Sequence, residues 1–209
     1  MPVEQIAGEY NATPKTMGDG QPTMVQTDAQ GRLIVAGGGT PGTPGGGVVT
    51  TQGIGYTSTA SFTRQNNTTA YDAGDVVGAL AAALTFSSIG PSGGGHVLIT
   101  KAEFEIDVAS VPSGMAAFTL QLYSVTPPSA YADAATWDLP SGDRSSYLGS
   151  INLGTPVDLG STLYTKVTGL NEQYVIPSGG ALYAYLVTTG AYTPTAQAVY
   201  TVKLKAIGV

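Results

Sequence analysis

Apolar and polar residues alternate with a period of two in four segments after residue 60, as they do in strands that bury one face. Turn-forming sequences such as VPSG, LPSGD and IPSGG separate these segments. The pattern predicts an all-β fold, an antiparallel β-sandwich of jelly-roll type. The predicted inner positions are, in chain order, Ala102, Phe104, Ile106 and Val108; Phe118, Leu120 and Leu122; Leu182, Ala184 and Leu186; and Tyr200, Val202 and Leu204.

Two features of this region allow more than one interpretation. The segment GDVVGALAAALTF, residues 74–86, contains good helix formers, but Gly78 and the all-β surroundings favour a strand pair or an irregular link. Several tyrosines, among them Tyr123, Tyr183 and Tyr185, fall on strand faces opposite the predicted core. Cross-strand pairing and burial against a partner chain both explain tyrosines in such positions.

Residues 1–35 are polar, and their apolar residues are spaced too widely to build a core, so we predict an extended N-terminal arm. One short hairpin is predicted in it, because Gly31 of TDAQGR suits a tight turn between two apolar runs. A two-stranded ribbon is marginal in water and becomes stable only against another surface. The predicted partner-binding residues are therefore the apolar residues of the hairpin: Met24, Val25, Leu33, Ile34 and Val35.

The sequence AGGGTPGTPGGG, residues 36–47, has the composition of a linker that is flexible at its glycines and stiffer at Thr-Pro. A loop of this length inside a compact domain is uncommon. We therefore predict three regions: an attachment arm at 1–35, a Gly/Pro-rich linker and lead-in at 36–60, and a β-sandwich head at 61–209.

Composition excludes several classes of function. The chain has a net charge of -6, with 8 scattered basic residues, so it lacks the clustered Lys and Arg that nucleic acid or an anionic membrane attracts. It has no apolar run of about 18 residues that would span a bilayer. It also has no Cys, which excludes disulfides and thiolate metal sites. We expect neither nucleic acid nor a membrane as a partner.

Three sets of polar residues could form catalytic or metal sites, but surface or structural positions explain them better. His96 is the sole histidine and has no second metal ligand of its kind. Glu103, Glu105 and Asp107 have the spacing of the solvated face of a strand rather than of a glycosidase pair in a cleft. Asp133, Asp138 and Asp143 do not follow the EF-hand spacing of calcium ligands. We therefore predict a non-enzymatic protein without a catalytic residue, a metal site or a cofactor.

The loop YADAATWDLPSGD contains two aromatic residues, Tyr131 and Trp137, that form a candidate surface-binding loop. An aromatic side chain on a loop can stack on a sugar or fill a protein interface. Trp137 can equally be a hydrophobic plug beneath its own loop, because large aromatic residues are highly buried on average.

The segment DGQPTMVQTDAQGRLIV, residues 19–35, resembles the N-terminal segment of many tailed-bacteriophage virion proteins, in which a polar lead-in precedes a QTDxxGRL hairpin. The segments SFTRQNNTTAYDAGDVVG, GPSGGGHVLITKAEFEID and LYSVTPPSAYADAATWDLPSGDRSSYLGSINLG resemble a family of small phage structural proteins. The resemblance covers most of residues 17–209 and implies a virion component, a head decoration (cement) protein or a head fibre.

This resemblance implies that the arm anchors the protein to the major capsid protein or another virion protein, on the outer surface of the phage particle. A homo-oligomer is expected, with a trimer favoured because it matches the threefold sites of an icosahedral shell. The alternative is a tail or baseplate component whose β-sandwich head binds a host surface glycan.

Overall fold

The structure, a computed structural model, describes residues 54–78 and 83–209. The predicted arm, its hairpin and its five partner-binding residues lie outside the described residues, as does most of the predicted linker. The described residues form ten β-strands: β1 Gly55–Thr63, β2 Val76–Val77, β3 Leu84–Phe86, β4 Gly95–Ile106, β5 Phe118–Tyr123, β6 Tyr147–Gly154, β7 Val157–Asp158, β8 Leu163–Ile176, β9 Leu182–Thr188 and β10 Val199–Gly208.

Two antiparallel sheets pack face to face. Sheet 1 has the order β1-β10-β4-β8-β7, and sheet 2 has the order β2-β9-β5-β6, with β3 also paired to β9. The pairings are nested along the chain: β5 with β6 innermost, then β4 with β8, then β2 and β3 with β9, and β1 with β10 outermost. A long hairpin of this kind, rolled into two sheets, is a jelly roll. The predicted fold class is confirmed for the described residues.

The core lies between the sheets and is built from the positions that alternation predicted. Ala102, Phe104 and Ile106 of β4 are fully buried. The inner residues of β5, β9 and β10 are buried as well. Aromatic rings occupy its centre, where the ring centroids of Phe104 and Phe118 lie 4.9 Å apart. Val108 follows the end of β4 and is half-buried against this core.

Two local predictions can be compared with the described strands. The segment 74–86 contains two short strands, β2 and β3, and no helix among its described residues, in line with the strand interpretation. The first strand starts at Gly55, earlier than the predicted start of the head at residue 61. Its inner residues Ser58 and Ala60 are small, so the apolar alternation that marks the other strands is weak there. No helix in the described residues has the length and apolar character needed to cross a membrane.

Candidate functional site

The outer faces of the two sheets differ in how they are covered. A long loop, residues 124–146, follows β5 and lies over the outer face of sheet 2; we call it the covering loop. Its backbone is joined to β2: the Ala134 amide donates to the carbonyl of Val76 at 2.9 Å, and the Val76 amide donates to that of Ala135 at 2.8 Å. The outer face of sheet 1 has no such cover among the described residues, and its side chains are partly or fully exposed.

Beneath the covering loop lies a second apolar cluster, made mainly of aromatic residues. Tyr123 of β5 and Tyr185 of β9 are buried in it, with exposed fractions of 0% and 3%. Their rings meet edge to face, with centroids 6.0 Å apart. Both were predicted on the face opposite the core, and they do lie there, where they make the cross-strand contacts that were one of the two explanations. The chain buries them under its own loop, a long-range contact that strand alternation cannot show.

The two aromatic residues of the predicted surface-binding loop are half-buried in this cluster. The indole Nε1–H of Trp137 donates to the hydroxyl of Tyr123 at 3.1 Å, and its ring packs against Tyr147 with centroids 5.9 Å apart. The Tyr131 hydroxyl donates to Oδ1 of Asp138 at 2.5 Å. The polar atoms of both side chains are therefore engaged within the chain, and only parts of their rings face solvent. Burial raises the pKa of Tyr123 to about 12.

A buried arginine joins the covering loop to the segment after β1. Arg64 has an exposed fraction of 1%. Its Nε–H donates to the Tyr71 hydroxyl at 2.7 Å, and its Nη2 lies 3.4 Å from Oδ2 of Asp133 in the covering loop. The other N–H groups donate to the carbonyls of Asn67 and Thr69. This satisfies a buried guanidinium, whose charge would otherwise be costly.

Asp133 completes the same network through its second oxygen. Oδ1 accepts from the Tyr71 hydroxyl at 2.5 Å and from the backbone amide of Gly78 at 3.1 Å. Burial and the bond to Asp133 raise the pKa of Tyr71 far above its ordinary value. The sequence interpretation missed this site. Its signal was Arg64 itself, a cation between an uncharged Thr/Ser-rich strand and a run of polar residues, in a chain where only 11% of residues are charged.

The three aspartates considered as calcium ligands have three separate roles. Asp133 pairs with Arg64, and Asp138 accepts from Tyr131. Asp143 is fully buried, and its Oδ1 accepts from the backbone amide of Ser129 at 3.2 Å. No group of three or more potential metal-binding side chains occurs within residues 54–78 and 83–209.

The outer face of sheet 1 carries a compact group of charges. Glu103 of β4 lies 3.4 Å from Lys203, 3.5 Å from Lys205 and 3.6 Å from Lys101. Lys166 of β8 stands directly opposite Glu103 in the strand register. Burial alone would raise the pKa of Glu103, but Lys205, with Lys203 and Lys101, lowers it below its ordinary value. This carboxylate is an ion-pair partner on a strand surface.

The remaining predicted structural residues also lie on the outer face of sheet 1. His96 at the start of β4 is exposed, and its Nδ1 lies 3.4 Å from the side-chain amide of Gln173. Glu105 is half-buried and Asp107 is exposed just after β4. These positions match the predicted solvated face.

No protein-family model matches the chain, and no curated protein sequence matches it. Solved structures similar to it include a chain in the acidic stable capsid structure of Helicobacter pylori bacteriophage KHP30, with 9% identity and a TM-score of 0.26 over 75% of this chain and 89% of that chain. Vertex protein P5 of PRD1 has 9% identity and a TM-score of 0.28 over 74% of this chain and 96% of that chain. A chain of rhinovirus-B5 has 16% identity and a TM-score of 0.27 over 98% of this chain and 87% of that chain. Because these values are low, the jelly-roll assignment rests on the strand order.

Proposed function

We propose that this protein is a non-enzymatic structural component of a phage virion, a capsid decoration or cement protein or a head fibre. The observation that carries the proposal is the motif QTDAQGRL, which resembles the hairpin segment of tailed-phage virion proteins, in a chain whose described part is a jelly roll. Jelly rolls are common in viral capsid domains. The buried Arg64 and Asp133 contact one another and groups of their own domain, so they serve to hold the fold.

The attachment element in this proposal is the arm, residues 1–35, and its partner is the major capsid protein. Burying Leu33, Ile34 and similar residues against a capsid surface would contribute about 1.5–3 kcal/mol per side chain before the cost of ordering the arm. An extended segment of this kind can add to an exposed sheet edge. The head would then remain on the outer surface of the particle.

Assembly into a trimer would strengthen this attachment. Several arms on one oligomer bind with a high effective concentration once the first arm is attached. A trimer also matches the threefold and quasi-threefold sites of an icosahedral shell.

Deleting residues 1–35 tests the proposal, because the described strands that build the head core all follow residue 54. The deletion variant should fold and oligomerise, yet fail to co-sediment with particles that lack the native protein. Leu33→Asp with Ile34→Asp should weaken binding strongly, since both charges would be placed where burial is proposed. Gln26→Asp with Gln30→Asp is the matched control, because it adds the same charge at polar positions of the hairpin.

Full occupancy of the particles by the deletion variant would contradict the proposal. The attachment surface would then have to lie on the head. Equal loss of binding in the control would show that charge, and not apolar burial, governs attachment.

A second function is a tail or baseplate component whose head binds a host glycan. It is favoured by the partly exposed rings of Tyr131 and Trp137, because aromatic faces stack on sugars and jelly rolls also occur in lectins. Binding of the purified protein to a glycan array, lost in Trp137→Ala and kept in Val125→Ala, would support it. Both of these residues belong to the covering loop, but Val125 is an exposed aliphatic residue. An array without bound glycans would count against this function.

A further inference from the structure

The sheet edges in the described part of the chain are protected to different degrees. Strands β2 and β3 are only two and three residues long, and the covering loop is bonded to β2. Strand β6 has irregular register towards both of its ends. At the other edge of sheet 1, β7 is two residues long and pairs with only one end of β8. The rest of β8 carries the charged residues Lys166 and Glu172 and has a register shift opposite Thr100. Short strands, bulges and charges are the features by which sheets avoid pairing with other chains.

Strand β1 at the edge of sheet 1 has none of these features within residues 54–78 and 83–209. It is nine residues long, and its register with β10 continues without a shift from Gly55 to Thr63. Its sequence, GYTSTASFT, contains no charge and no proline and is rich in Thr, Tyr and Phe, which favour strands. A long, regular and uncharged edge of this kind is a template for pairing with another strand.

Two hydrogen bonds show which backbone groups of β1 are directed to that free edge. The backbone amide of Arg64 donates to the carbonyl of Ala198 at 2.9 Å, and the backbone amide of Gly208 donates to the carbonyl of Ile54 at 2.9 Å. Bonded and non-bonded pairs alternate in an antiparallel ladder, so the even-numbered residues of β1 bond to β10. The N–H and C=O groups of the odd-numbered residues, centred on Thr59, are therefore directed away from sheet 1.

We propose that the free edge of β1 binds the β1 edge of a second copy of this chain, antiparallel and across a twofold axis at Thr59. In this register Thr59 lies opposite Thr59 of the partner subunit, and Thr57 lies opposite Ser61 of the partner subunit. Gly55 lies opposite Thr63 of the partner subunit. All odd-numbered residues of both strands then pair, which gives about ten backbone hydrogen bonds.

The inner-face residues of β1 are self-complementary in the same register. Tyr56 lies opposite Phe62 of the partner subunit, and the twofold axis repeats this pair. Both residues are half-buried and pack against the core of their own head. The Phe62 ring is stacked on Tyr200 with centroids 5.2 Å apart, so it is held in place for such a contact. Aromatic cross-strand pairs are among the stabilising pairs in sheets.

Charge does not oppose the contact. No charged residue occurs in β1, so no like charges face each other across the axis. The nearest lysines, Lys203 and Lys205, lie on β10, one strand further from the axis, and both are paired with Glu103. The contact is isologous and uses neither the arm nor the heterologous surface of a trimer. It rests on the head alone, independently of the proposed function.

Single cysteines test the register, because the chain has no cysteine of its own. Thr59→Cys should form a disulfide-linked dimer under mild oxidation, since opposite residues in a ladder have Cα atoms about 5.5 Å apart, within the range of a disulfide. Thr57→Cys alone is the matched control and should stay uncross-linked, because its equivalent in the partner is about 13 Å further along the ladder. A mixture of Thr57→Cys and Ser61→Cys proteins should form mixed dimers.

Proline provides a second test on the full-length chain. Thr59→Pro removes a free-edge N–H and no bond to β10, so the head should still fold by circular dichroism. Sedimentation equilibrium should show a dimer dissociation constant raised on the order of tenfold or more over the wild-type value. Cross-linking of Thr57→Cys with itself, no cross-linking at Thr59, or unchanged association of Thr59→Pro would each overturn the proposal. None of these outcomes depends on particle binding, so each leaves the arm hypothesis unaffected.

Discussion

The Nη2 atom of Arg64 lies 3.4 Å from Oδ2 of Asp133, and both side chains are almost completely buried. Arg64 follows β1 of sheet 1, whereas Asp133 belongs to the loop over sheet 2. The pair therefore joins parts of the chain that are distant in sequence at one end of the sandwich. Tyr71 bridges the two side chains with its hydroxyl.

Asp133→Asn should strongly destabilise the head, because it leaves the buried guanidinium of Arg64 without its counter-charge. Breaking a buried ion pair by removing one partner costs about 3–5 kcal/mol. Urea unfolding would measure the loss. Asp107→Asn is the control, because Asp107 is exposed and should leave the midpoint unchanged. Equal midpoints for Asp133→Asn and wild type would show that Arg64 is satisfied by the carbonyls alone.

Tyr123→Phe should destabilise the covering loop, because the indole N–H of Trp137 loses its acceptor. An unsatisfied, partly buried donor costs about 1–3 kcal/mol. Trp137 is the sole tryptophan, so its fluorescence reports on this loop during denaturant unfolding. Tyr183→Phe is the control: Tyr183 belongs to the same cluster, but its hydroxyl makes no hydrogen bond to the described residues. A larger effect in the control would mean that ring packing, and not this hydrogen bond, dominates.

Gly114→Ala should strongly destabilise the head. Backbone strain alone would cost about 1–3 kcal/mol, and a steric collision adds to it. Gly114 has a φ of +85°, which a residue with a Cβ rarely adopts. A Cβ there would also collide with the backbone carbonyl of Ala191, which cannot move as a flexible side chain can. Gly142→Ala is the matched control, since no atom lies within 4 Å of its added Cβ. Thermal unfolding of the two variants should separate them clearly.

Glu103 should make stability depend on acid pH. Its pKa in the folded state is lowered by Lys205, Lys203 and Lys101, relative to about 4.3 in the unfolded chain. Its contribution is therefore fully present above the unfolded pKa and is lost as the pH falls through the folded pKa. The difference in unfolding free energy between wild type and Glu103→Gln should be constant near pH 7 and shrink below about pH 4. Urea titrations from pH 7 to pH 3 would check this.

The lysine partners provide the control for that pH dependence. In a background of Lys203→Gln with Lys205→Gln, the effect of Glu103→Gln on the unfolding free energy should be smaller, because two cations that lower the carboxyl pKa are removed. Salt of about 1 M should reduce the effect in the wild-type background as well. A pH dependence that is the same after the lysine substitutions and in high salt would show that Glu103 is not its source.

The sequence predicted the residues that face the core better than the residues on the outer faces of the sheets. Positions such as Phe104, Leu120 and Val202 alternate strictly with polar residues, and each is buried between the sheets. Period-two alternation indicates a strand with one buried face, and it is visible within a few consecutive residues. These strands could therefore be predicted from the sequence. It is weaker in β1, whose inner residues include Ser58 and Ala60, so the pattern did not mark this strand.

The contacts made by the covering loop could not be predicted in the same way. Tyr185 and Trp137 join one cluster only because the loop folds back over sheet 2, and no local pattern encodes that return. The partnership of Arg64 with Asp133 is equally non-local. A charged residue can be recognised in a sequence as unusual, but its partner depends on which loop crosses the end of the sandwich.

The nested order of the strands has a consequence for synthesis on the ribosome. Strand β1 is made early, yet its partner β10 begins only at Val199. At about 5–20 residues per second, β1 waits on the order of ten seconds for that partner. During this interval the edge of β1 that bonds to β10 lacks its partner, in addition to the uncharged edge that we propose joins two finished copies. Neighbouring ribosomes on one messenger would hold such strands close together, so pairing between nascent chains would compete with the pairing of β1 and β10 in one chain.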